Sequence, residues 1–196
     1  MRNTFVRFPS RRKQLTLFAK NFIRHPRMLG SLIPSSRFLI GRLLDQVDWD
    51  QARVIVEYGP GVGSFTGEIL RLMRPDATLV AVETNEEFVD FLRRSFPDPR
   101  LRVVHGSAAD VEQVLAERGF CLADYVVSGI PLSTIGDRMR EEILLSTHRV
   151  LHPGGALLVY QFSPKALPDL QRIYSRVTRS FEPLNVLPAQ VFYCAR

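Results

Sequence analysis

Residues 54–70 read VIVEYGPGVGSFTGEIL, and this stretch decides the fold. An apolar run ends in Glu57 and Tyr58, glycines follow at positions 59, 61 and 63, and an amphipathic segment begins at Ser64. Apolar residues on successive positions suit a strand covered on both faces. Glycines at the turn permit positive φ angles and let a ligand approach the backbone where a Cβ would stand in its way. A strand, a glycine turn and a helix in that order place a ligand at the carboxyl end of the first strand of an open α/β sheet. Glu57 narrows the ligand further. A carboxylate suits an ammonium, met directly or through water, and repels a phosphate.

The alternation continues to the end of the chain. Strands are expected at RVIVEY (53–58), TLVAVE (78–83), LRVVH (101–105), DYVVSG (124–129) and ALLVYQF (156–162), with helices over 64–73, 85–95, 110–118 and 136–151. A last helix is predicted over 166–179, and LNVLPAQVFYCA is read as two closing strands joined through Leu187-Pro188-Ala189. The fold class is α/β: a seven-stranded, mostly parallel sheet with helices on both faces. A chain of 196 residues holds one such domain and leaves no room for a second. Residues 36–196 are assigned to it.

Residues 1–35 form a separate arm. Residues 1–44 contain ten Lys or Arg and no Asp or Glu, whereas the remainder has sixteen basic and twenty acidic side chains. A basic arm on a mildly acidic body is built to meet a polyanion, either nucleic acid or an anionic membrane. SRRKQLTLFAKNFIRH (10–25) has Leu15, Phe18, Ala19, Phe22 and Ile23 at helical spacing, so an amphipathic helix is expected there, ended by His25-Pro26. Ser35 or Ser36 caps the helix that follows. Nothing in the sequence approaches the roughly 20 apolar residues of a membrane span. Cys121 and Cys194 lie far apart with no secretory segment before them, which points to a reducing, cytoplasmic compartment.

The second predicted strand ends VAVETN (80–85), with Glu83 at its tip. An acid there can accept hydrogen bonds from both ribose hydroxyls, in a dinucleotide or in an adenosyl amino acid alike. Three features favour the second: the glycines are spaced GxGxG, an acid precedes them, and no substrate domain follows. In these features the chain resembles the Rossmann-like class I S-adenosylmethionine-dependent methyltransferases, over nearly all of residues 36–196. LHPGGALLVYQF (151–162) matches the turn into that family's fifth strand. The resemblance implies that HGSAAD (105–110) flanks the adenine and that SGIPLS (128–133) lies beside the reactive methyl. The cofactor-binding set it implies is Glu57, Tyr58, Gly59, Gly61, Gly63, Glu83, Thr84, Ser107, Ala108 and Ser128.

A narrower resemblance is to bacterial phospholipid N-methyltransferases, with ornithine lipid N-methyltransferases and rRNA adenine dimethyltransferase-like proteins nearby. It rests on NFIRHPRMLGSLIPSS (21–36), YVVSGIPLS (125–133) and PLNVLPAQVFY (183–193). The adenine dimethyltransferases carry an Asn-containing tetrapeptide ending in an aromatic where this chain has Ser128-Gly129-Ile130-Pro131-Leu132. The groups that would grip and stack a flipped base are missing there. The resemblance therefore implies stepwise methylation of phosphatidylethanolamine towards phosphatidylcholine, by an enzyme held peripherally at the inner face of the cytoplasmic membrane.

Methyl transfer to an amine needs a neutral lone pair in line with the methyl carbon, so the site must favour loss of a proton from the headgroup ammonium. Candidates for that role are His25, Tyr160 and the Ser128 carbonyl, with Ser35 near the same mouth. Tyr160 and Tyr193 are candidate walls for a methylated cation. Arg24 and Arg27 suit a lipid phosphate. Phe18 and Phe22 suit the headgroup layer, with Arg11, Arg12 and Lys13 on anionic lipid.

Plainer readings compete with each of these. The glycine loop with Glu83 also fits a nicotinamide nucleotide, and the arm also fits a lid whose charges are merely solvated. His148 and His152 lack a third ligand, so they read as structural and no metal is expected. His105 reads as a satisfied polar residue, and both cysteines as buried packing. Ornithine lipid methylation, rRNA adenine N6-methylation and a non-catalytic lipid-binding module stand as rival functions.

Overall fold

The structure, a computed structural model, describes residues 35–196. Helix α1 (Arg37–Leu44) opens it, capped by Ser36, whose Oγ accepts from Leu39 N at 3.1 Å. There follow β1 (Val54–Tyr58), α2 (Ser64–Leu72), β2 (Thr78–Glu83), α3 (Glu86–Ser95) and β3 (Leu101–His105). A 3-10 turn at Ala108–Asp110 leads into α4 (Val111–Ala116), then β4 (Ala123–Ser128), α5 (Asp137–Val150) and β5 (Leu151–Gln161). Helix α6 (Leu167–Ile173), β6 (Arg176–Glu182) and β7 (Ala189–Ala195) complete the chain.

The seven strands lie in the order β3-β2-β1-β4-β5-β7-β6. The first five are parallel, and β7 runs antiparallel to both of its neighbours. Strands β1 and β4 sit side by side while β2 and β5 lead away from them in opposite directions. Their carboxyl ends form the crevice where open α/β sheets take ligands. Alternate residues of the strands feed two cores. Val56, Val80, Val126 and Val159 pack on one face with α4, α5 and α6, while Ile55, Leu79, Val127 and Leu158 pack on the other with α1 and α2.

Strands β1 to β4 match the expected runs to within a residue. Strand β5 starts earlier than expected, at Leu151. The parallel pairing with β4 shifts between Ala123 and Tyr125, so residues 152–155 bulge before Ala156 re-enters the ladder opposite Tyr125.

The larger correction is at the C-terminal end. The helix expected over 166–179 stops at Ile173, and Arg176–Glu182 is a strand. Only one closing strand comes from LNVLPAQVFYCA, because residues 184–188 form the turn between β6 and β7. Strand β6 is the sheet edge, so its Arg176, Thr178 and Arg179 are exposed, and charged edges of this kind discourage further pairing. Cys194 is buried as expected, but Cys121 is exposed.

Candidate functional site

The loop after β1 turns on Gly59, Gly61 and Gly63, with φ angles of 65°, 55° and 79°. At Gly63 a Cβ would also lie 2.4 Å from the Phe96 ring, so both space and conformation demand glycine. The loop is tied to β2 in two ways. Gly59 N donates to Val82 O at 3.0 Å, and Gly61 N donates to Glu83 Oε2 at 3.1 Å. The other oxygen of Glu83 accepts from Asn85 N at 2.9 Å. Burial pushes the Glu83 carboxyl above its ordinary range, against the pull of these backbone donors. The Thr84 hydroxyl also approaches Oε1, at 3.5 Å, so of the roughly four acceptor positions of an ionised carboxylate Glu83 keeps one for a ligand hydroxyl, and a second once Thr84 turns away.

A cleft of about 380 Å³ opens beside this carboxylate, within the range of small-ligand sites. Glu83, Thr84, Ser107 and Ala108 line one side, and Ile130, Thr134 and Met139 line the other. Ser107 Oγ accepts from Ala109 N at 3.2 Å, which shapes the turn after β3 and leaves its proton free to donate. The loop 129–135 is held from outside the cleft. Arg140 pairs with Asp169 at 2.7 Å and directs Nη1 at the carbonyls of Leu132 and Ile135, each 3.4 Å away.

A second, inner cavity lies across the glycine loop, lined by Ser35, Glu57, Ser64, Phe65, Gly129 and Tyr160. Glu57 is buried and accepts from Thr66 Oγ1 at 2.7 Å. Burial raises its carboxyl to about 8; the Thr66 hydroxyl opposes the rise and the Glu83 charge adds to it. The Tyr160 ring stacks on Phe65 with centroids 5.4 Å apart and planes 17° from parallel. Burial also raises the Tyr160 hydroxyl, which touches Ser35, so it stays neutral at ordinary pH. It can orient an amine by hydrogen bonding. Gly129 lies in close approach to the wall, since a Cβ there would be 3.0 Å from Tyr160 Oη and 3.2 Å from Gly59 O.

The two cavities share Gly59 and Gly129, so the expected cofactor set is brought together around one loop. Three residues sit differently from expectation. Ser128 lines neither cavity: Val127 faces the inner one, and strand alternation turns Ser128 to the opposite face. Its Oγ is buried there with no hydrogen-bond partner among the described residues. Tyr58 lines the inner cavity, but its hydroxyl is 3.1 Å from Thr147 Oγ1 in the core. Tyr193 pairs with Leu158, two positions below Tyr160 on β5, and is not in the cavity wall. Phe65 stands beside Tyr160 in its stead.

His105 Nε2 lies 3.0 Å from Thr84 O, and the His148 ring meets Tyr174 edge-on at 5.5 Å. Among the described residues no group of His, Cys, Asp and Glu could hold a metal, and no helix is long and apolar enough to cross a membrane. His25, Arg11, Arg12, Lys13, Phe18, Phe22, Arg24 and Arg27 lie outside the described residues.

Several residues that shape the site were not among those expected. Thr66 is in the first turn of α2, a position that alone looks like ordinary helix. Gln161, buried at the end of β5, donates through Nε2 to Ile130 O at 2.7 Å, and its Oε1 accepts from Ser133 N at 3.3 Å. A polar residue closing an otherwise apolar strand was the available signal for it.

A methyltransferase-domain model matches residues 55–155. An ornithine lipid N-methyltransferase from Singulisphaera acidiphila is 32% identical over 184 residues, covering 93% of this chain and 96% of that protein. A ubiquinone/menaquinone biosynthesis C-methyltransferase from Pasteurella multocida is 29% identical over 68% of this chain, which spans 47% of that protein. The fold is shared with 1,6-didemethyltoxoflavin-N1-methyltransferase from Burkholderia thailandensis, solved with S-adenosylhomocysteine, at TM-score 0.61, 14% identity and coverage of 96% and 91%. It is likewise shared with precorrin-6y C5,15-methyltransferase from Geobacter metallireducens, at TM-score 0.64, 18% identity and coverage of 81% and 88%. Taken with the glycine loop and its two buried acids, these matches show that the chain belongs to the class I S-adenosylmethionine-dependent methyltransferases.

Proposed function

We propose that this enzyme N-methylates the primary amine of a membrane aminolipid. The observation that carries the reading is the similarity, over almost the whole of both chains, to a protein named as an ornithine lipid N-methyltransferase. That name favours ornithine lipid as acceptor. Phosphatidylethanolamine, which the sequence resemblance favours, offers a primary amine of the same kind.

The cleft fits the cofactor. Glycines leave the loop backbone bare, a buried acid stands on each side of it, and the volume suits a nucleoside. When bound, S-adenosylmethionine supplies an electrophilic methyl group on a sulfonium. Glu83 would accept the ribose hydroxyls with the acceptor positions left by Gly61 and Asn85 once Thr84 turns away. Ser107 and Ala108 would border the adenine, and the apolar wall at Ile130 and Ile135 would exclude water from it. Glu57 would face the amino-acid end, where a neighbouring ammonium favours its ionised form.

On the acceptor side, Tyr160 Oη and Ser35 would orient the amine, and the Phe65–Tyr160 pair would border the cation that methylation produces. The inner cavity, about 20 Å³, admits no more than the amine end of a headgroup, and desolvation there favours the neutral form, which carries the lone pair. Membrane attachment would be peripheral, through the basic arm of residues 1–35.

The test is incubation of the purified chain with labelled S-adenosylmethionine and vesicles containing ornithine lipid or phosphatidylethanolamine, followed by headgroup analysis. Mono- and dimethylated headgroups are expected. Label entering RNA and neither lipid would overturn the reading.

A further inference from the structure

Three of the seven large apolar side chains exposed among the described residues lie in the β6–β7 turn, and two more flank it in the chain or across the Ser36–Asn185 bond. Leu184, Val186 and Leu187 in the β6–β7 turn are 60%, 70% and 41% exposed, Phe181 on β6 is 50% exposed, and Phe38 on α1 is 43% exposed. A turn in water is ordinarily polar, yet residues 183–188, PLNVLP, carry no charge.

The turn is fastened in place. Asn185 Oδ1 accepts from Ser36 N at 2.8 Å, and Asn185 Nδ2 donates to Leu187 O at 2.9 Å. Glu182 accepts from Arg42 Nε at 2.6 Å and from Leu184 N at 2.8 Å, so this acid is neutralised by a pairing that also anchors the turn. Register gives its position. Gln161, the last residue of β5, pairs with Gln190, and Glu182 pairs with Ala189. The turn therefore projects beyond the carboxyl ends of the parallel strands, on the same rim as the glycine loop. Ser36, which it holds, adjoins Ser35 of the inner cavity.

We propose that the β6–β7 turn is a rigid apolar wedge that enters the headgroup layer of an anionic bilayer beside the inner cavity. The inference rests on the aminolipid reading and adds to it a docking surface within the folded domain, separate from the basic arm. Charge complementarity selects the bilayer as occupant. Arg37, whose guanidinium lies 4.8 Å from the Phe38 ring centroid, stands at the edge of the apolar turn. The 34 residues before Ser35 carry eight Lys or Arg and no acid, and they join the fold beside this turn. A second copy docking through the same face would set these cations against their own kind, whereas anionic headgroups neutralise them.

The test compares the full chain with Leu184→Ser/Val186→Ser/Leu187→Ser, all three positions being exposed. The readout is sedimentation with vesicles of phosphatidylglycerol and phosphatidylethanolamine. At least about a tenfold loss of partitioning is expected from removing three interfacial apolar side chains. The melting temperature, and methyl transfer to a water-soluble short-chain aminolipid, should match the parent protein. A separate Leu184→Trp variant should gain a blue-shifted emission component on adding vesicles, beyond that of the native Trp49. Equal sedimentation of parent and triple variant, no sedimentation of either, or the absence of that added component from the vesicle-bound Leu184→Trp protein would each overturn the wedge. So would a dimer that the triple substitution dissociates while vesicle binding is unchanged. If the triple variant loses binding as expected but the parent methylates no aminolipid in any form, the substrate reading falls and the wedge stands.

Discussion

The hydroxyl of Thr66 donates to the buried carboxylate of Glu57 across 2.7 Å, which joins the first turn of α2 to the end of β1 beneath the glycine loop. Glu57 nonetheless has its carboxyl raised from 4.5 to about 8, because burial outweighs the hydroxyl and the backbone amide of Thr66. A carboxyl raised in the folded state favours the folded state when protonated. Its contribution is complete below pH 4.5 and is lost as pH rises to about 8. The melting temperature of the ligand-free enzyme should therefore fall across that window. Glu57→Gln should flatten the fall, leaving the slope due to Glu83, whose carboxyl is raised in the same direction. A series of melting curves against pH checks this.

Cofactor affinity should show the opposite trend with pH. An ammonium placed beside Glu57 favours the ionised carboxylate, so binding releases a proton and strengthens as pH rises towards about 8. Calorimetry with S-adenosylhomocysteine in buffers of different ionisation heat would count that proton. In Glu57→Gln the proton release should vanish.

Glu83→Gln should weaken S-adenosylhomocysteine binding by about 1.5–3 kcal/mol, the range for hydrogen bonds to a charged group. Part of the loss should come through the loop, since Gly61 N gives up a charged acceptor for a neutral one. Faster amide exchange at Gly61 in the variant, measured without ligand, would separate the loop's share from that of the ribose.

Gly129→Ala tests the wall between the two cavities. The added methyl meets Tyr160 Oη at 3.0 Å and Gly59 O at 3.2 Å, and overpacking of this kind costs about 1–3 kcal/mol. Methyl transfer should fall at least tenfold. Adding Tyr160→Phe removes one of the two clashes, so it should restore part of the melting temperature without restoring turnover.

Arg140→Met should raise the KM for cofactor while leaving most of the stability intact. Its ion pair with Asp169 and its approach to the Leu132 and Ile135 carbonyls hold the loop that walls the cleft, and α5 packs through other residues. Steady-state kinetics beside a melting curve decide it.

The part of this architecture legible in the sequence was the part that local chemistry dictates. The apolar runs of β1 to β4 have few alternatives as buried parallel strands, and the bare glycines with Glu57 and Glu83 mark the site within thirty residues of chain. Strand β6 was not legible. Val177 and Phe181 are four residues apart, which fits a helix face as well as a half-buried edge strand, and only pairing with β7 chooses between them. Tyr193 was misplaced for a related reason: its distance from the site depends on the β5–β7 register, which no local pattern sets. Thr66, Gln161 and Arg140 escaped notice because each acts on a partner brought near by packing.

The amide of Gln161 has one further consequence. Its Nε2 donates both to Ile130 O and to Tyr160 O, at 2.7 Å each, so the backbone beside the nucleoside cleft and the backbone carrying the acceptor's tyrosine hang from a single nitrogen. Neither wall can shift without straining the other. If both ligands bind as proposed, this shared nitrogen would couple them, so that either one would stiffen the berth of the other.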